Sequence, residues 1–131
     1  MSEENAEIVR SIYESFNRGD WEAMTRLAHP EFEATLARGP NEGTHRGRDS
    51  IRAIIQDQRA AFDAWSIEVE QVFASGDQVL ALTMSRIRPK GIDAELEIRN
   101  GMLWTVGDGV AVSMRGFPNP DDALEAAGFS E

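Results

Sequence analysis

The side chains in this sequence that could move a proton, bind a metal or attack a substrate are scattered along the chain. Cysteine is absent, which excludes disulfides, thiolate nucleophiles and cysteine-zinc sites. The histidines are His29, which precedes Pro30, and His45, in a glycine-rich segment. Two distant imidazoles and dispersed carboxylates make no metal motif. There is no phosphate-cradling glycine loop and no nucleophile elbow, so neither a metal nor a cofactor is expected. Arg86 is the polar residue of most interest. Leu82 and Met84 precede it at two-residue spacing, so the three side chains share a strand face. Two readings stand for it. A buried arginine needs an anionic partner or a ligand. Near a strand end, its long side chain reaches water instead. Glu95, Glu97 and Arg99 alternate against apolar neighbours and read as a solvated or subunit-contact face.

Bulk properties narrow the classes. The 131 residues suit one domain spanning 1–131. With 41% hydrophobic residues the chain has material for a core. Its net charge of −10 repels phosphate backbones and anionic bilayers, so neither nucleic acid nor membrane is an expected partner. No stretch approaches the ~20 apolar residues of a membrane span. The acidic start, Met1-Ser2-Glu3-Glu4, has no signal-peptide core. A soluble, cytoplasmic protein is expected.

The elements that must position these groups follow from periodicity. Ile8, Val9, Ile12, Tyr13 and Phe16 form a stripe that predicts a helix over 3–18, ended by Gly19. Asp20 caps a short helix carrying Trp21, Met24 and Leu27, which His29-Pro30 should end. Phe32, Ala34 and Leu36 alternate as a strand, and 38–47 reads as a loop. Ile51, Ile54, Ile55 and Phe62 mark the buried face of a helix over 49–62, with Asp49 as its cap. Strands follow over 65–73, 78–88, 92–106 and 110–117. Ser75-Gly76-Asp77, Pro89-Lys90-Gly91 and Gly107-Asp108-Gly109 supply the turns. A helix over 121–127, with Gly128 at its end, closes the chain. Helices grouped before an antiparallel meander indicate the α+β class.

This order, with certain segments, resembles the SnoaL-like branch of the nuclear transport factor 2-like superfamily. The segments are Tyr13 to Trp21, His29 to Glu33, Gly43 to Arg52, Trp104 to Gly109 and Asp122 to Phe129. The resemblance implies a cone: a curved antiparallel sheet wrapped around the N-terminal helices, with a deep pocket inside. Alternation within that cone predicts a lining of Ile12, Phe16, Ala34, Leu36, Leu82, Met84, Arg86, Asn100, Met102, Trp104 and Met114. Such a pocket suits a small hydrophobic ligand. The methionines would make it adaptable, while Trp21 and Trp104 read as core. The resemblance also implies a homodimer formed through the sheet.

The superfamily includes ketosteroid isomerases, polyketide cyclases, dehydratases, epoxide hydrolases and non-catalytic modules, so fold does not choose the reaction. Ketosteroid isomerase chemistry needs a carboxylate base near the end of the first strand. It also needs an oxyanion hole made by a helix-one Tyr and a protonated Asp on a later strand. The corresponding positions here fall near Leu36, at Ile12 and near Met102. Tyr13 is one residue on, turned about 100° around the helix. A cyclase needs an Asp or His facing the pocket; His29 and His45 read first as structural or exposed, and His45, in its loop, is the one that could reach the pocket mouth. An epoxide hydrolase could use Arg86 but lacks an inward Asp. The expectation is a binding pocket, with isomerase, cyclase or lyase chemistry on a small hydrophobic substrate if it catalyses. The alternative is a non-enzymatic ligand-binding or dimerisation module.

Overall fold

A computed structural model describes residues 2–36 and 42–129. Helix α1 spans Ser2–Arg18 and turns its apolar stripe inward, leaving Val9, Ile12, Tyr13 and Phe16 buried. Gly19 takes φ 71° and ends it, a conformation that costs glycine little. Asp20 then caps α2 (Trp21–Arg26), its carboxylate accepting from Ala23 N at 3.1 Å.

Strand β1 (Ala28–Leu36) begins before His29-Pro30 rather than after it. Pairing with β6 (Val110–Phe117) slips between Ala28 and Glu33. Pro30 falls in that slip, where its missing N–H leaves no gap in a regular ladder. Of the loop expected at 38–47, residues 38–41 lie outside the described residues. Its later part is a short strand, β2 (Gly43–Arg46), antiparallel to β1. Side chains fasten that pairing: Arg46 Nη2 meets Glu33 Oε2 at 2.6 Å, and the hydroxyls of Thr35 and Thr44 lie 3.0 Å apart. Helix α3 spans Arg48–Ala61, with Gly47 as its N-cap and no side-chain cap bond. Asp49 sits inside the first turn instead, where its charge favours the positive helix end.

The rest is a meander: β3 (Phe62–Ser75), β4 (Gln78–Pro89), β5 (Leu96–Gly107) and β6. Residues 92–95, expected in β5, precede it. At the tightest hairpin Asp108 and Gly109 have φ 53° and 81°, the left-handed pair of a type I′ turn. Helix α4 (Pro120–Ala127) has Asn119 as cap and left-handed Gly128 at its end. The sheet order is β2-β1-β6-β5-β4-β3, antiparallel except for β1 beside β6.

Register assigns the two faces. Val79 lies opposite Trp104 and Ala81 opposite Met102. Opposed residues share a face, so these point together toward α1 and form the main core with Val9, Tyr13, Phe32 and Ala34. Leu80 and Leu82 point the other way and pack under Ala123 and Leu124 of α4. Gly101 is what lets α4 approach: a Cβ there would collide with the Cβ of Ala123.

Candidate functional site

The helix-side face of the sheet does not close on the helices. Between α1, α2, α3 and the strands lies a cavity of about 190 Å³. Each wall follows from a local pattern. Helix α1 supplies Ile12, Tyr13 and Phe16, and α2 supplies Trp21, Met24 and Thr25. Arg48, Ile51, Ile54, Ile55 and Gln58 come from one side of α3, at the three- and four-residue spacings that share a helix face. The sheet adds Ala28, Phe32, Ala34 and Leu36 from β1, Trp65 and Ile67 from β3, Met102 and Trp104 from β5, and Met114 from β6.

The polar groups of this wall are few. Trp104 Nε1 donates to the Tyr13 hydroxyl oxygen at 3.1 Å, and the rings meet edge-on with centroids 5.6 Å apart. Burial pushes the Tyr13 phenol well above its ordinary range, against a smaller opposing effect of the Trp104 bond. The phenol therefore keeps its proton, and because its oxygen accepts from Trp104 that proton is the one it can donate. Arg48 is the charged residue of the described wall; it donates through Nη2 to the Ala28 carbonyl. Its Nε is buried with no hydrogen-bond partner, and so is Nε1 of Trp65. The Trp65 ring packs edge-on against Phe16, with centroids 4.7 Å apart. The wall is thus apolar, with N–H and O–H donors and no carboxylate or imidazole among its described members. It can orient an acceptor-bearing apolar molecule, with the protonated Tyr13 hydroxyl as one fixed donor.

The structure brings Ile12, Phe16, Leu36, Met102, Trp104 and Met114 to the cavity, together with Ala34. It does not bring Leu82, Met84, Arg86 or Asn100 there. Leu82 lies on the opposite face under α4, and Met84 and Arg86 follow it at two-residue spacing. Arg86 is 40% exposed and lies 3.4 Å from both Glu68 and Glu97 and 3.8 Å from Glu95. Its guanidinium is held further into its charged range, first by the Glu68 hydrogen bond. The water-reaching reading of Arg86 therefore describes it. Glu95, Glu97 and Arg99 are exposed beside it, with Arg99 on Glu70 at 3.0 Å. Asn100 shares the helix-side face, but its side-chain oxygen accepts from Thr83 Oγ1 at 2.8 Å, beyond the cavity. His45 lies half-buried on β2, opposite Ala34.

The physical reason for the β4 error is that Val79 to Ser85 are all buried. A strand covered on both faces carries no apolar-polar alternation to read. Sequence reasoning also missed Tyr13, Arg48, Trp65 and most of the α3 wall. The Ile51, Ile54 and Ile55 stripe was a signal for α3; it named a buried face without saying that the face meets a void. Trp104 packs in the core and also lines the cavity, whereas Trp21, read as core, is half-buried and lines the cavity instead.

An open, curved six-stranded sheet with helices at its N-terminal side is the nuclear transport factor 2-like, cystatin-like fold. Solved structures agree. The chain is similar to TerC co-crystallised with polyporic acid, at 19% identity over 93% of this chain and 96% of that one, with TM-score 0.80. It is similar to a nuclear transport factor 2-like protein of unknown function from Burkholderia pseudomallei, at 20% identity over 95% and 97% of the two chains, TM-score 0.79. It is also similar to a putative SnoaL-like polyketide cyclase from Jannaschia sp. CCS1, at 19% identity over 88% and 85%, TM-score 0.75. These identities speak for the fold alone. The SnoaL-like domain family model matches residues 9–114, and the chain belongs to that family. Among curated proteins there is no match.

Proposed function

We propose that this chain binds a small apolar molecule in the cavity between α1, α2, α3 and the sheet. The observation that carries the reading is the wall itself. An apolar void of about 190 Å³ sits where a core would otherwise be packed, and protein interiors leave few voids larger than a water molecule. The unpartnered N–H groups of Arg48 and Trp65 favour a ligand with hydrogen-bond acceptors, since an unmet buried donor is costly. All three tryptophans, Trp21, Trp65 and Trp104, line the cavity, so indole emission reports on its occupancy. Titration with the neutral probe octan-1-ol should give saturable one-to-one binding. Emission that changes without saturating, or not at all, overturns the reading.

A second reading is isomerase-, cyclase- or lyase-like work on the same ligand, as the fold's polyketide cyclase-like relatives suggest. The hydrogen bond that orients the Tyr13 hydroxyl favours it, because a fixed donor can stabilise negative charge developing on a substrate oxygen. On this reading Tyr13→Phe abolishes turnover of an identified substrate and leaves its binding intact.

The partner proposed is a second copy of the chain, pairing through the sheet. Supporting it are Leu96 and Ile98, apolar side chains 48% and 44% exposed at the start of β5, on the sheet face opposite the ion pairs of Arg86 and Arg99. Light scattering at dilute concentration should give twice the 14.5 kDa chain mass; a species of the single-chain mass overturns the dimer.

A further inference from the structure

A second hollow, of about 230 Å³, lies between the end of α1, α2 and α3. It shares Phe16, Trp21, Met24 and Ile55 with the apolar cavity, so one layer of side chains divides the two. Its charged lining residues are Arg52 and Arg59. These stand seven residues apart on α3, two turns along one side. Both lie on the dividing layer. The Arg52 guanidinium carbon is 5.5 Å from the Trp21 ring centroid, and that of Arg59 is 4.5 Å from Phe16.

The chain has 23 acidic residues against 13 basic ones, yet neither arginine forms an ion pair with a described carboxylate. Of the acids adjacent in sequence to the hollow's lining, Asp20 and Glu22 are engaged elsewhere, and exposed Asp57 pairs with neither arginine. Asp20 is the N-cap of α2, and Glu22 lies 3.7 Å from Arg26. Arg59 has a structural task as well: Nη2 donates to the Phe16 carbonyl at 2.6 Å, satisfying the C-terminal end of α1. That helix end carries partial negative charge, which Arg59 offsets. Arg52 makes no described hydrogen bond, so all its donors remain for a ligand.

We infer that the ligand is an apolar carboxylic acid. Its body fills the cavity and brings a further acceptor to Arg48 and Trp65, and its carboxylate crosses the dividing layer to rest on Arg52, with Arg59 beside it. The inference rests on the reading of the cavity as a binding site. Met24 is the pliable member of the layer, because its unbranched side chain can swing without moving backbone. A planar guanidinium presents paired donors that match a carboxylate. The aromatic rings beneath supply a face on which it stays charged and weakly hydrated.

The test compares two eight-carbon probes, octanoate and octan-1-ol, on the full chain at pH 8, read by tryptophan emission. Octanoate should bind about ten- to a hundredfold more tightly, the range of a charge-assisted hydrogen bond. Arg52→Met should remove about tenfold or more of octanoate affinity and leave octan-1-ol unchanged. Arg52→Lys should restore part of it, and added salt should weaken octanoate only. Equal affinity of the two probes for the unaltered chain overturns the inference and leaves the cavity reading intact. Loss of both probes together in Arg52→Met assigns Arg52 a packing role and overturns it too. Binding of neither probe to the unaltered chain overturns both readings. Arg52 is exposed on α3, so its replacement leaves the core untouched.

Discussion

Ala34→Leu separates a packed core from a cavity held open. Ala34 is 4% exposed, yet its side chain is part of the cavity wall on β1. Leucine adds three carbons that would enter the void. At about 0.8 kcal/mol for each buried carbon the gain is about 2.4 kcal/mol. Fixing the new side chain costs roughly 0.5–1 kcal/mol. The net is about 1.5 kcal/mol of added stability. For 131 residues at about 2.1 cal/mol/K of unfolding entropy each, 1 kcal/mol moves the melting temperature by about 4 °C. A rise of about 6 °C is therefore expected, with octan-1-ol binding weakened at least tenfold because its volume is taken. Urea unfolding and a melt by circular dichroism measure the first quantity, and tryptophan emission the second. The reasoning fails if Ala34→Leu loses the ~1–3 kcal/mol typical of overpacking while octan-1-ol affinity stays unchanged. That pair of results would mean that β1 packs tightly at Ala34 and the probe binds elsewhere.

Other outcomes follow from single contacts. Tyr13 is protonated in the fold well above the pH at which a free phenol ionises. The unfolded chain thus releases its proton first, and stability should be full below pH ~10 and fall as pH rises above it. Tyr13→Phe should flatten that alkaline fall in urea midpoints, at a cost near neutral pH of about 1–3 kcal/mol for the orphaned Trp104 N–H; an unchanged alkaline slope would contradict it. Gly101→Ala should push α4 off the sheet, because the added Cβ overlaps that of Ala123. A destabilisation of about 1–3 kcal/mol in urea is expected, and a neutral result would place α4 elsewhere. Arg86→Met should leave octan-1-ol and octanoate affinities unchanged, since Arg86 sits among Glu68, Glu95 and Glu97 on the opposite face from the cavity. A weakened affinity for either probe would return it to the site.

The parts of the fold that were legible in sequence have one wet face and one dry one. The α1 stripe from Ile8 to Phe16 contrasts with Arg10 and Glu14 between its members, and its Ile12 and Phe16 line the cavity. The Asp108-Gly109 turn fixed where β5 gives way to β6, and through it the shared inward face of Met102, Trp104 and Met114. Strand β4 offered no such contrast. Val79 to Ser85 are buried on both sides, and only pairing with β5 shows that Val79 and Ala81, not Leu80 and Leu82, face α1. Strand β2 was hidden because it is short and begins at a glycine; it is fastened to β1 by side-chain contacts between the two strands. Arg48 and Trp65 carry no local signature of a site. What distinguishes them is a buried N–H without a partner, a property of packing between distant segments.

Trp21, Trp65 and Trp104 all line the one cavity proposed to hold the ligand. Nitrogen-15 labelling gives each indole N–H its own resonance, so titration with octan-1-ol tests the claim at all three positions. All three indole signals should shift along one saturation curve with a single affinity, and Ala34→Leu should abolish the shifts. Indole signals that stay still, or that move with separate unsaturated dependences, would contradict the proposal.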